Sequence, residues 1–81
     1  MGIFGTKYKD EELISSAEHA LAEEPTVDAS CLTIISEKGV VTLGGSLKTT
    51  IAKRHAVESI EKAFQRKKLK YDRIVDETEL G

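Results

Sequence analysis

The amino-acid sequence predicts an α+β domain in which two helices pack on one face of a three-stranded mixed sheet. Three observations predict this fold class. Two stretches repeat apolar residues at helical spacing, a stretch between them alternates like a hairpin, and a short apolar stretch follows the second helix. The strand–helix–strand connection implies that the last strand runs parallel to the second strand. The predicted order is therefore helix, strand, strand, helix, strand (α-β-β-α-β).

The first helix is predicted from Asp10 to Glu23. Its apolar residues recur three and four positions apart and form one stripe: Leu13, Ile14, Ala17, Ala20 and Leu21. Asp10 is a candidate N-cap, and the two glutamates after it suit the positive end of the helix dipole. The helix must end before Pro25, because the residue before a proline avoids the helical region.

The segment CLTIISEKGVVTLGG predicts a β-hairpin with its tight turn at Lys38-Gly39. Because side chains alternate along a strand, one face points away from the helices. That face contains Cys31, Thr33, Ile35, Val40 and Thr42. An apolar face of this kind indicates a protein interface or a docked chain terminus, for which Gly2 to Phe4 is a candidate.

Three glycines around the second strand invite two interpretations, a phosphate-binding loop or a structural role. The phosphate-loop pattern requires lysine after Gly45, where Ser46 stands, and the G-x-G-x-x-G pattern is absent. The structural interpretation is therefore preferred. Gly39 is predicted to supply the positive φ of the turn, and Gly44-Gly45 to end the second strand.

The second helix is predicted to begin at a cap formed by Thr49 or Thr50. Its apolar stripe comprises Ala52, Ala56, Val57, Ile60, Ala63 and Phe64. A last strand is predicted at residues 73–78. Basic residues gather between them, and this basic cluster comprises Lys62, Arg66, Lys67, Lys68, Lys70 and Arg73. The cluster is either an anion-binding surface or a solvated helix end that suits the negative end of the dipole.

Length and composition indicate one small domain. The chain has 81 residues, of which 40% are hydrophobic and 32% charged, so it is neither disordered by composition nor membrane-spanning. The net charge of −2 is unevenly distributed, with eight acids and no Lys or Arg in residues 10–37, and nine bases and three acids in residues 48–73. One cysteine excludes an internal disulfide. The N-terminus has no signal-peptide pattern, which predicts a cytoplasmic protein, or an envelope-associated one if the chain is cut from a longer exported protein.

One pattern runs from about Asp10 to Thr78 and comprises Asp10, ALAEEPTVDAS, Leu32, Ile34, GVVTLGG, the alanines Ala52 and Ala56, and Ile74-Val75-Asp76. This pattern resembles the BON domain (bacterial OsmY and nodulation domain). Lys70-Tyr71 stands where the family pattern has Gly-Val. The resemblance implies a BON-like domain over residues 10–78, with an N-terminal extension at 1–9 and a C-terminal tail at 79–81.

What the resemblance implies about function is a bacterial binding module and not an enzyme. Such a module attaches to anionic phospholipid surfaces or to an envelope or protein assembly, with no catalytic residue, cofactor or metal. The residues themselves agree, because His19 and His55 have no partner at metal-ligand spacing and Cys31 has no activating base nearby in sequence. The basic cluster is then the expected lipid-binding or anion-binding surface.

Two alternatives remain open. The domain could be a protein–protein adaptor that forms a homo-oligomer through the outer sheet face without binding lipid. It could also bind nucleic acid through the basic cluster, but a sequence pI of about 5.7 and the lack of aromatic platforms beyond Tyr71 argue against this.

Overall fold

The computed structural model describes residues 8–81 and has the predicted α+β architecture. Its helices are α1 (Asp10–Ala22) and α2 (Thr50–Lys67), and its strands are β1 (Leu32–Glu37), β2 (Val40–Leu47), β3 (Arg73–Asp76) and β4 (Glu79–Leu80). A short 3-10 helix, Ala29–Cys31, leads into β1. The predicted order of the first five helices and strands is confirmed, and α1 ends one residue earlier than predicted.

The sheet has the order β1-β2-β3, with β1 antiparallel and β3 parallel to β2. The residues predicted as a C-terminal tail, 79–81, continue this sheet. Glu79 pairs with Ser46 and Leu80 with Leu47 in parallel register, so β4 extends the row begun by β3. The amide of Gly81 also donates to the carbonyl of Leu47 at 3.0 Å. β2 therefore has a parallel partner at both of its ends, β3 along residues 40–43 and β4 along residues 46–47.

The core lies between the two helices and the inner face of the sheet. Its fully buried large side chains come from both predicted helical stripes and from β2: Phe64, Leu13, Leu21, Leu43, Ile60 and Val41. Tyr71 extends the core at one end, since its ring centroid lies 4.9 Å from that of Phe64. Burial of each such side chain stabilises the fold by about 1.5 to 3 kcal/mol.

The prediction that Asp10 caps α1 is wrong. Lys9 occupies the N-cap position, and Asp10 is the first residue of the helix. The Asp10 carboxylate instead accepts hydrogen bonds from the hydroxyl of Ser36 at 2.7 Å and from the amides of Lys38 and Gly39 at 3.0 Å each. Asp10 therefore joins the start of α1 to the turn of the hairpin, a contact between residues far apart in the chain.

The hairpin turn has the predicted geometry. Lys38 has φ 51° and Gly39 has φ 85°, so both central residues are left-handed, as a two-residue turn between twisted strands requires. The ring of Tyr8 lies against Gly39, where an added Cβ would sit 2.5 Å from the ring carbon Cδ1. Gly39 is thus required both for its φ and for this close approach.

The prediction that Gly44-Gly45 ends the second strand is also wrong, because β2 continues to Leu47. Gly45 has φ 113°, and the carbonyl oxygen of Cys31 occupies the space that a Cβ would need. Gly45 therefore allows two backbone segments to approach within the strand pair.

Both ends of α2 have local hydrogen-bonded caps. At the start, the hydroxyl of Thr49 accepts from the amide of Ala52 at 3.0 Å, which confirms one of the two predicted caps. At the end, Lys68 adopts φ 56°, and the amides of Lys68 and Leu69 donate to the carbonyls of Gln65 at 3.1 Å and Phe64 at 2.9 Å. This pair of bonds is a Schellman motif, which turns the chain sharply away from the helix. Neither helix found within residues 8–81 has the length and apolar character needed to span a membrane.

Candidate anion-binding surface

Three lysines of the predicted basic cluster meet at one concave surface, here named the basic concavity. It has a volume of about 650 Å³ and is lined by Lys9, Glu12, Ser15, Ser16, Lys67, Lys68, Leu69 and Lys70. The Schellman motif explains the arrangement, because it folds Leu69 back onto the core and brings residues 68–70 beside the first turns of α1. The lysines of the concavity thus come from two chain segments that are far apart in the sequence.

The charge of the basic concavity is poorly compensated. Glu12 is its sole lining carboxylate, and its Oε2 lies 3.7 Å from the Nζ of Lys9, with both side chains exposed. Within residues 8–81, the ammonium groups of Lys67, Lys68 and Lys70 have no carboxylate oxygen within 4.0 Å. Residues 1–7 contain no aspartate or glutamate. Four lysines and one glutamate give the concavity a formal charge of +3.

Lys62 and Arg66 lie in a different environment. They line a smaller concavity of about 250 Å³ between the two helices, which also contains Glu23 and Glu24 of the α1 end. Lys67 lines both concavities and so connects them. The positive charge of Lys62 and Arg66 therefore faces acidic residues, in contrast to the lysines beyond the helix end.

Arg73 is separated from the rest of the basic cluster. It pairs in register with Val40, and the residue after Val40 in β2, Val41, is buried in the core. Because side chains alternate along a strand, Arg73 shares the outer face of the sheet with Val40. The six residues that sequence analysis treated as one cluster thus occupy three places, and Lys67, Lys68 and Lys70 remain together.

Sequence analysis missed five lining residues of the basic concavity: Lys9, Glu12, Ser15, Ser16 and Leu69. Ser16 is only 3% exposed, yet it lines both concavities beside α1. The signal was present in the sequence, because Ser16 lies three residues after Leu13 and so belongs to the buried stripe of α1.

The outer sheet face is a second candidate surface. We call it the open sheet face and define it by Thr33, Ile35, Val40, Thr42 and Val75, which the register places side by side. Ile35 is 61% exposed, as much as Ile51 and more than Leu80, and α1 and α2 pack on the opposite face of the sheet. The predicted docking segment, Gly2 to Phe4, lies outside the described residues.

Cys31 does not belong to this face, contrary to prediction. It is the last residue of the 3-10 helix and precedes β1. Its exposed thiol donates to Asp28 Oδ2 at 3.7 Å, and Asp28 also caps the short helix by accepting from the amide of Ser30. The hydroxyl of Ser30 and its amide lower the pKa of Asp28 below its ordinary value. A local side-chain cap therefore replaces the strand conformation expected at this position.

The two histidines lie beside carboxylates, and they differ in burial. His19 is exposed and its Nε2 lies 3.4 Å from Glu23. His55 is half-buried, with Nδ1 2.9 Å from the hydroxyl of Thr26 and 3.8 Å from Glu24. Hydrogen bonds from the hydroxyl of Thr26, and more weakly from Ser59, lower the pKa of Glu24. No group of three His, Cys, Asp or Glu side chains in the described part of the chain has metal-binding geometry.

Comparison with known proteins adds no identification, since no protein-family model matches the chain and no curated protein matches it. The resemblance to the BON domain therefore remains a prediction that rests on the residues quoted above.

Proposed function

We propose that this chain is a non-catalytic binding module, similar to a BON domain, that attaches to anionic phospholipid surfaces through the basic concavity. The observation that carries the proposal is the meeting of Lys67, Lys68 and Lys70 at one surface with no carboxylate partner among residues 8–81. Surface cations are normally interspersed with acids, so an uncompensated group indicates an anionic partner.

The backbone of Lys68 supports the same proposal. A left-handed conformation costs a residue with a Cβ about 1 to 2 kcal/mol, and glycine normally occupies this position of a Schellman motif. Lysine occupies this position here in spite of that cost. A residue held in an unfavourable conformation at a charged surface is a reason to look for a functional role.

The expected strength of attachment is modest. Each Lys near an anionic bilayer contributes about 1 kcal/mol, so three lysines contribute about 3 kcal/mol. This corresponds to a dissociation constant above about 1 mM for a single copy. Several copies held together would bind far more tightly through effective concentration. Glu11, exposed in the first turn of α1, opposes attachment at this end of the molecule.

Co-sedimentation with anionic and neutral vesicles tests the proposal. The variant Lys67→Glu/Lys70→Glu should lose binding to anionic vesicles at low salt. Its matched control is Lys48→Glu/Arg54→Glu, which changes the net charge equally at exposed positions near the other end of α2 and should retain binding. Equal loss in both variants, or no binding by the unaltered protein, would contradict attachment through the basic concavity.

A second candidate function is protein–protein adaptor activity through self-association at the open sheet face. The observation in its favour is the exposure of Ile35 on the edge strand β1, where it lies opposite Thr42, which in turn pairs with Val75. Sedimentation velocity over a range of concentrations should detect an oligomer that Ile35→Lys weakens. Gln65→Lys, at an exposed position of α2 away from the sheet, is the control for added charge. A protein that stays monomeric at every concentration would exclude this function.

A further inference from the structure

The outer edge of β1 has no strand beside it in the part of the chain that the structure describes, because β1 is the first strand in the order β1-β2-β3. The carbonyls of Gly39 and Leu43 accept from amides on the β3 side at 2.7 and 2.8 Å, so the alternate residues of β2 direct their backbone groups at β1. The partners of those residues in register are Thr33, Ile35 and Glu37. The intervening amides and carbonyls of β1 therefore point away from β2. We call this row the β1 edge, and it comprises Leu32, Ile34 and Ser36.

The two outer strands of the sheet differ in features that prevent pairing with another chain. Natural edge strands usually carry lysine or proline, contain a bulge, or are very short. β3 has only four residues, with Arg73 and Asp76 at its ends. β1 has six residues in unbroken register, without lysine, arginine or proline, and its one charged residue, Glu37, lies at its end. The β1 edge is therefore an open template for an added strand.

A strand added at the β1 edge would place successive side chains on opposite faces of the sheet. On the outer face they would lie beside the exposed side chain of Ile35. On the other face they would lie beside α1, because α1 packs mainly on β1 whereas α2 packs on β2 and β3. Glu11 and Glu18 are exposed and share the side of α1 opposite to the groove between the helices. An added strand would thus meet an apolar group on one face and carboxylates on the other.

Charge decides which kind of strand fits this position. Residues 10–37, which contain α1 and β1, have eight acids and no lysine or arginine. A second copy paired edge to edge would bring two acidic α1 helices together, and like charges oppose such pairing. A basic strand would instead be attracted by the same acids. The β1 edge therefore favours a segment of another protein over a copy of this chain.

From these features we propose that the β1 edge binds an extended segment of a partner protein in which basic and apolar residues alternate. The segment extends the sheet, packs its apolar side chains beside Ile35, and pairs its basic side chains with Glu11 and Glu18. In strand addition, main-chain hydrogen bonds supply affinity and the alternate side chains supply specificity. This interaction goes beyond the proposed membrane attachment and uses a different surface, so peptide binding and vesicle binding can fail separately.

The first experiment titrates a capped synthetic peptide that alternates lysine and valine into the full chain and follows backbone amide resonances. Saturable shifts should alternate along β1 and be largest at Leu32, Ile34 and Ser36, because only these amides gain a hydrogen bond. A peptide with the same lysines and valines in two separate blocks should bind at least about tenfold more weakly, and so should a peptide with glutamate in place of lysine.

Backbone methylation of the peptide tests strand addition directly. Methyl groups on the lysine nitrogens, or alternatively on the valine nitrogens, keep the charge of the peptide. Because only alternate residues of an added strand face the β1 edge, one of these two peptides should lose binding and the other should retain it. Equal binding by the two methylated peptides would overturn the inference.

The second experiment changes the protein. Glu11→Gln/Glu18→Gln should weaken binding of the alternating peptide about three- to tenfold at low salt, as expected for two exposed ion pairs. Glu58→Gln/Glu77→Gln removes the same charge at exposed positions outside α1 and β1, and this control should bind as the unaltered protein does.

Three further results would overturn the inference. The first is the absence of saturable shifts. The second is a set of shifts spread over the acidic residues without alternation along β1, which indicates charge attraction alone. The third is an alternating pattern that appears with protein concentration and without peptide, which assigns the β1 edge to a second copy. Alternating shifts in a protein that binds no vesicles would support the inference and remove the membrane proposal.

Discussion

The hairpin turn and the C-terminal end of α2 each hold a lysine in the left-handed conformation, but their surroundings differ. At the turn, Lys38 is followed by Gly39, and the Asp10 carboxylate accepts hydrogen bonds from both amides. At the end of α2, Lys68 is held by backbone bonds alone, and the ammonium groups of Lys67, Lys68 and Lys70 have no carboxylate oxygen within 4.0 Å in the described part of the chain.

The difference separates a structural junction from a binding surface. At the turn, the Asp10 carboxylate of α1 accepts hydrogen bonds from the two turn amides, so this charged group has a structural role. At the end of α2, the backbone satisfies its own groups, and the charged side chains stay available. Substitutions at the turn should therefore change stability, and substitutions at the end of α2 should change binding.

The largest expected effect is at Gly39. Gly39→Ala should lower the free energy of unfolding by about 1 to 3 kcal/mol, because its φ of 85° is unfavourable for alanine and the new Cβ meets the Tyr8 ring. Gly44→Ala is the matched control, since its φ is ordinary and its Cβ would meet only Thr33 Oγ1 at 3.1 Å. Urea unfolding measures both. Equal losses would show that the turn is not a special junction.

A smaller loss is expected at Asp10. Asp10→Ala removes the acceptor of three hydrogen bonds and should lower the thermal midpoint, with Asp10→Asn intermediate because the amide retains one acceptor oxygen. Glu11→Gln removes a neighbouring charge and is the control. The prediction fails if all three variants unfold at the midpoint of the unaltered protein.

Acid should weaken the same junction. The hydroxyl of Ser36, and next the amide of Gly39, lower the pKa of Asp10 below its ordinary value of 3.8. Because the folded-state pKa is the lower one, the contribution to stability is fully present above pH 3.8 and is lost as the pH falls through the folded-state value. Urea midpoints measured from neutral pH down to about pH 2 should fall less steeply for Asp10→Asn than for the unaltered protein. If the urea midpoints of the two proteins fall in parallel with pH, Asp10 does not contribute to the loss of stability in acid.

The smallest expected effect on stability is at Lys68. Lys68→Gly should raise the free energy of unfolding by about 0.5 to 1 kcal/mol relative to Lys68→Ala, because only glycine relieves the left-handed backbone. Both variants remove one positive charge, so both should weaken binding to anionic vesicles by the same amount. If the glycine variant instead binds as well as the unaltered protein, the charge at this position has no role in attachment.

Residues with regular spacing were predictable from the sequence, and residues with long-range partners were not. The stripes that define α1 and α2, the turn at Gly39 and the cap at Thr49 follow from neighbours within a few positions. The role of Asp10 depends on Ser36 and the turn, which no local pattern connects to it. β4 has only two residues, Glu79 and Leu80, too few to show alternation.

The candidate surface shows the same limit. A run of bases in the sequence suggested one cluster. In the fold, strand pairing places Arg73 on the outer side of the sheet, and Lys62 and Arg66 line a concavity between the helices together with Glu23 and Glu24. Lys9 joins the lysines after α2 only because the Schellman motif folds the chain back beside α1. The composition therefore indicated that a basic surface exists, whereas the tertiary fold determines which residues form it.

The position of β2 has a consequence for the order of folding. β2 is the central strand, and its parallel partners β3 and β4 both follow α2 in the sequence. The parallel pairing begins with Val40 and Arg73, which are separated by the whole of α2. The α1 helix and the β1–β2 hairpin can form from near neighbours, but closing the parallel pair must overcome the entropy of a long loop. We therefore expect that step to limit the folding rate. During synthesis, we expect one edge of β2 to stay unpaired until β3 and β4 have left the ribosome.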